Sequence, residues 1–187
     1  LRRGNMSQRQ ALIWFVIVAM GASAALASGY KDSVVAPKGW SDGIDRIAVF
    51  VTTGNEVINA SEVESQVEAQ LAATKKLPFT VLARSLKMER LMALGLDSYD
   101  EARRAEILEA LGVSAVLLME IPHAGQSQFG REGAEVRVVL RLVEKDGKIR
   151  MRGESSGKAW NTASSPENIA RHAALRVLGK ATGLNLD

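Results

Sequence analysis

The sequence predicts one α/β (α+β) domain, a mixed β-sheet packed with helices in the order β-α-β-α-α-β-β-β-α. Three observations predict it. The apolar runs Ile47–Val51 and Ala115–Met119 have strand length and no polar face, as central strands buried on both sides do. Stripes with the three- and four-residue spacing of amphipathic helices lie between them. Asp146-Gly147 joins two alternating segments, which is the signature of a hairpin.

The elements follow in order. Ser61 with Glu64 has the spacing of a capping box, and Val63, Val67 and Leu71 then form one apolar stripe. Pro78 stops that helix, and Phe79–Leu82 reads as a second strand. Ser85 is the expected N-cap of the next helix, with Met88, Leu91 and Met92 inward and Gly95 at its end. Asp100–Leu111 is a third helix that buries Ile107, Leu108 and Leu111, with Gly112 where a left-handed cap belongs. After the strand at Ala115, residues 122–133 read as a loop. The hairpin pairs Val136–Leu142 with Ile149–Arg152. Ser165-Pro166 opens the last helix, whose inner face carries Ile169, Ala173, Val177 and Leu178.

Ahead of this domain (residues 46–187), residues 28–45 lack a sustained period and read as a short linker. Residues 1–27 have the layout of an export signal. Met6–Gln10 is polar and basic, Ala11–Ala27 is apolar, and Ala25-Leu26-Ala27 supplies an A-x-A cleavage motif before Ser28. Left uncleaved, the run would be a single-pass anchor, although a spanning helix usually needs about 20 apolar residues and this run is shorter. Translation is expected to start at Met6 or at a non-standard codon for Leu1.

Charge and cysteine content exclude several function classes. Arg2, Arg3 and Arg9 account for three of the 24 basic residues, which leaves 21 against 21 acidic ones beyond the signal. Bulk attraction to nucleic acid is therefore not expected, and membrane contact is expected only if the N-terminal segment is retained. With no cysteine, no disulfide forms.

The strand-to-helix stretch Phe79-Thr80-Val81-Leu82-Ala83-Arg84-Ser85 and the stretch Ala110-Leu111-Gly112-Val113-Ser114-Ala115-Val116-Leu117-Leu118 carry a resemblance. Together with the Asp-Gly hairpin and the final helix, they resemble the family of curli-secretion (CsgG-like) and penicillin-binding protein activator (LpoB-like) domains, from Arg46 to about Gly183. The resemblance implies a non-enzymatic periplasmic protein that binds another envelope protein, such as a cell-wall synthesis or secretion component, as a regulator or assembly factor. The alternative it implies is a structural subunit of a homo-oligomeric ring. Many members carry a lipid on a cysteine that ends the signal, and here Gly29 stands in that place.

No cofactor or metal site is expected. His123 and His172 are the only histidines, too few to build a zinc site together with the absence of cysteine. His123 near Ser127 lacks both a nucleophile elbow and a third partner, so no enzyme is expected. Glu62, Glu64 and Glu68 read as the solvated face of one helix. Trp160 reads as core packing against the last helix, with a partner anchor as the alternative.

The candidate functional residues are the hairpin arginines Arg137, Arg141, Arg150 and Arg152. A two-residue turn at Asp146-Gly147 would set Arg141 opposite Arg152 and Lys145 opposite Lys148, with Val138, Leu140, Leu142 and Met151 on the core face. Like charges directly across a strand pair are unfavourable. The arginines are therefore either splayed into solvent and offset by Glu135 and Glu154, or a basic face for an acidic partner or anionic wall polymer.

Overall fold

The computed structural model describes residues 29–54, 56–126, 134–159 and 165–186. The signal segment, Ser127 and Trp160 lie outside them, as does most of the expected 122–133 loop.

The elements are β1 (Lys31–Val35), β2 (Arg46–Thr53), α1 (Ala60–Ala73), β3 (Thr80–Val81), α2 (Arg84–Ala93), a 3₁₀ turn (Glu101–Arg103), α3 (Arg104–Leu111), β4 (Ala115–Gln126), β5 (Ala134–Glu144), β6 (Ile149–Ala159) and α4 (Pro166–Thr182). The strands form one six-stranded sheet in the order β1-β6-β5-β4-β2-β3. β2 runs parallel to β3 and β4, and the remaining pairs are antiparallel. The sheet is mixed, as expected, with one more strand at its front.

That strand corrects the linker expectation for residues 28–45. β1 pairs along its whole length with β6, from Lys31 opposite Ser156 to Val35 opposite Arg152. Trp40 is buried, its indole Nε1 donates to the Ala181 carbonyl at 3.0 Å, and its ring meets Phe79 edge-on at 6.2 Å. The alternation in Asp32, Val34 and Ala36 is short and half polar, so periodicity alone did not reveal an edge strand.

Helices α1 and α4 cover one face of the sheet. Val63, Val67 and Leu71 of α1 pack there with Ile169, Ala173, Val177 and Leu178 of α4 against Ile47, Val49, Leu117 and Met119. At Gly153 of β6 an added Cβ would collide with Val177, so this glycine lets α4 lie close to the strand. On the other face, Leu91 of α2 and Ile107, Leu108 and Leu111 of α3 bury Ala48, Phe50, Val116 and Leu118. This second helix layer reaches β5 only at Val143, and no helix of the described residues covers the rest of that face of β5, β6 and β1. Gly112 caps α3 at φ 62°, a conformation a residue with a side chain rarely adopts.

Two helix starts differ from expectation. Asn59, not Ser61, caps α1, accepting the Glu62 N–H on its side chain. Ser61 sits inside the first turn and accepts from Arg84 on both its carbonyl (2.7 Å) and its hydroxyl (2.5 Å). Ala83 occupies the cap position of α2 with no side-chain bond, so Ser85 is helical. Met92 is exposed, and Lys87 takes the inward place on that helix instead.

Candidate functional site

The uncovered part of the sheet is the candidate site, and the hairpin register determines what it displays. β5 and β6 pair with Arg141 opposite Arg152, as the sequence predicts. The turn is longer than two residues: Glu144 donates its N–H to the Lys148 carbonyl, and the pairing shifts between Leu142 and Val143. Lys145 therefore does not oppose Lys148. The shift takes up one extra residue, Arg150, and leaves the rest of the ladder in the expected phase. Val138, Leu140, Leu142 and Met151 are all buried on the core face.

The four arginines divide. Arg150 turns away from the open face and donates to the Trp40, Gly39 and Asp42 carbonyls at 3.0, 3.2 and 2.8 Å. It clamps the β1–β2 connection and, at 17% side-chain exposure, is not a surface group. Arg137 makes a two-pronged ion pair with Glu154 at 2.7 and 2.9 Å. That contact holds the Glu154 carboxyl below the usual carboxylate range. Arg141 approaches Glu120 at 3.8 Å, too far for a hydrogen bond. Arg152 is exposed and forms no salt bridge among the described residues, though its charge also helps hold the nearby Glu154 carboxyl down. Lys158 and Glu135 form a further pair at 2.9 Å.

The charges on the open face are thus largely matched internally, as the solvated reading expects, except at Arg141 and Arg152. These two guanidinium groups stand side by side across the strands, with Glu120 of β4 3.8 Å from Arg141 and Glu154, already bonded to Arg137, two residues along β6 from Arg152. Such a pair favours an anionic group from outside over its own company. Exposed Val35 lies beside Arg152 on β1 and gives the spot an apolar margin.

A second polar cluster went unrecognised in the sequence. Lys87 of α2 is 0% exposed, and its ammonium donates to the Val49 carbonyl (2.5 Å), Glu64 Oε1 (2.7 Å) and Glu68 Oε1 (2.5 Å), which uses all three of its protons. The Phe50 ring centroid lies 4.9 Å from the same nitrogen. Glu64 Oε2 accepts the Val51 N–H at 3.0 Å. Burial pushes the Glu68 carboxyl above its ordinary value against the opposing pull of Lys87.

Glu64 and Glu68 are therefore not a solvated face. β3 pairs only with Arg46 and Ile47, so beyond it β2 has no neighbouring strand, and Lys87 and Glu64 bond the groups that a strand would have bonded. The one sequence signal was the i, i+4 repeat of Glu64 and Glu68 directly beside the Val63/Val67 stripe. A lysine wholly shut from solvent and fully bonded is placed to hold structure, not to meet a substrate.

A third cluster fixes β1. Asp32, 1% exposed on its side chain, accepts from Ser155 (2.7 Å), Arg176 (2.8 Å) and Lys180 (2.9 Å). Burial alone would raise its pKa, but the bonds from Arg176, Ser155 and Lys180 outweigh that and hold it at about 2.

His172 is half-buried, with Nε2 2.9 Å from the Arg171 guanidinium. The backbone of His123 lies in β4 opposite Arg137, not in a loop. Among the described residues no group of three or more His, Cys, Asp or Glu side chains could hold a metal ion, and no helix is long and apolar enough to cross a membrane.

Comparison with known proteins places the fold. No family model matches the chain, and no curated protein sequence matches it. Among solved structures, the chain superposes on the PelC dodecamer from Paraburkholderia phytofirmans with a TM-score of 0.58 at 13% identity, covering 82% of this chain and 98% of that one. Lipoprotein GNA1162 from Neisseria meningitidis matches with a TM-score of 0.51 at 18% identity over 73% of this chain and 99% of that one. The C-terminal domain of LpoB from Salmonella enterica follows at 0.47 and 18% identity, covering 64% of this chain and 88% of that one, too loose a likeness to carry weight. At these identities the likeness is one of architecture: this chain has the mixed α/β fold seen in PelC and in lipoprotein GNA1162.

Proposed function

We propose that this protein is a non-enzymatic component of the bacterial cell envelope that binds another envelope protein, as a regulator or assembly factor, through the open face of its hairpin. The observation that carries the reading is the adjacent pair of half-exposed Arg141 and exposed Arg152, on a part of the sheet that no described helix covers, neither of them hydrogen-bonded to a carboxylate of the described residues. Arg137 supports the face through Glu154, and Arg150 supports it indirectly by anchoring the turn. An export signal in residues 1–27 fits a periplasmic location, and a retained segment would make the protein membrane-anchored. The fold likeness to a lipoprotein agrees with an envelope setting.

The test is capture from envelope extract with identification of the bound protein, comparing the native chain with the Arg141→Glu/Arg152→Glu double variant. Loss of one specific partner in a variant with unchanged thermal stability is the expected result. Undiminished capture overturns the docking face.

A second reading has its own observation: PelC, which shares the fold, is a dodecamer. In that reading the chain is a structural subunit of a homo-oligomeric ring. Light scattering separates the two, since a concentration-independent monomer rules out the ring.

A further inference from the structure

The two edges of the sheet are finished differently. Along β2 the outward groups are satisfied: the Asp45 and Ile47 carbonyls by the N–H groups of Thr80 and Leu82, the Val49 carbonyl by Lys87, and the Val51 N–H by Glu64. Along β1 nothing of the kind is present. Its inner side pairs with β6, and among the described residues no hydrogen bond reaches its outer backbone groups. Such a row of unpaired N–H and C=O groups is a template for another strand.

β1 is also held firmly enough to serve as a template. Asp32 ties it to β6 through Ser155 and to α4 through Arg176 and Lys180, and Val34 packs against the core. Its ordering is therefore already complete before a partner arrives, which reduces the entropy lost on binding.

We propose that the outer edge of β1 accepts an extended, acidic segment of a partner protein as an added strand. The proposal rests on the protein-binding reading above and specifies how the partner docks. Charge decides the occupant. The charges along this edge are mainly positive: Lys31 and Arg152 are exposed, Lys180 reaches the edge from α4, and the half-exposed Glu154 on the same face of β6 is already bonded to Arg137. The one carboxylate on β1, Asp32, is buried and already accepts from three donors. A second copy of β1 would bring more of the same cations and no free carboxylate to the edge, whereas carboxylates on alternate residues of an added strand would meet Lys31 and Arg152 on one face. Exposed Val35, at 65%, calls for an apolar residue at one end of that segment.

The experiment uses the unmodified protein and a short, end-capped peptide alternating Glu with Val and Thr. Two control peptides accompany it, one with Lys for Glu and one with a central Pro. Amide hydrogen exchange is read across the sheet. The acidic peptide is expected to slow the outward β1 amides by about tenfold or more, with no slowing from either control. Lys31→Glu, a change at an exposed position, should weaken the acidic peptide without altering the fold. Unchanged β1 exchange overturns the proposal, as does protection that needs no peptide and rises with protein concentration, which is self-pairing. A peptide footprint confined to Arg141 and Arg152 overturns strand addition and leaves the docking face standing. Loss of partner capture in the double arginine variant with no effect of Lys31→Glu separates the two readings in the same way.

Discussion

The β2 edge and the β1 edge face the same physical problem, a strand with one side unbonded, and resolve it oppositely. At β2 two helices send charged side chains inward to replace a strand, with Lys87 and Glu64 standing in for backbone. At β1 the charged side chains fix the strand to its own sheet and leave the outer side bare. Burying an ammonium and two carboxylates is a demanding way to close an edge when apolar residues would pack as well. An edge closed at that expense, on a molecule whose other edge is left open, points to where pairing is prevented and where it is allowed.

The largest expected effect breaks the closed edge. Lys87→Ala strands Glu64 and Glu68 in the interior and should lower the unfolding free energy by about 3–5 kcal/mol in denaturant titration. Adding Glu64→Gln and Glu68→Gln to Lys87→Met removes the charges together and should recover much of that loss. No recovery would mean that packing, and not charge balance, holds the edge.

A smaller effect loosens the open edge. Asp32→Ala removes the shared acceptor of Ser155, Arg176 and Lys180 and should reduce stability by about 2 kcal/mol, the range of charge-assisted bonds. Acid should imitate it. The folded pKa of about 2 lies below the ordinary 3.8, so this contribution is fully present above about pH 4 and fades as the pH falls toward 2. In the Asp32→Ala variant that part of the acid dependence should be missing. The smallest effect belongs to the open face: Arg141→Glu with Arg152→Glu should change stability by no more than about 0.5 kcal/mol, since both are surface positions. A larger loss would recast these arginines as structural.

Legibility in the sequence followed the same division. The buried strands, the stripes of α1, α3 and α4 and the hairpin register near Arg141 were readable because a repeating apolar pattern specifies them. Even the longer turn left that register intact, because the extra residue Arg150 offset it. The features that escaped lie where polar groups are used against their usual habit. A lysine followed four residues later by Leu91 reads as surface, and only the tertiary meeting of α1, α2 and the β2 edge shows that it is core. The short β1 lacks enough alternation to be told from a linker, and its partners Arg176 and Lys180 lie more than 140 residues away. Of the four arginines singled out, Arg150 could not be distinguished from the others, since its partners are backbone carbonyls of a distant loop.

The most direct test of the contrast is native-state amide exchange on the protein without added partner, comparing the Val51 N–H, bonded to Glu64, with the outward amides of β1. A closed β2 edge and an open β1 edge predict a strongly protected Val51 and β1 amides that exchange through local opening alone, far faster than by global unfolding. Equal protection at both edges would contradict the account.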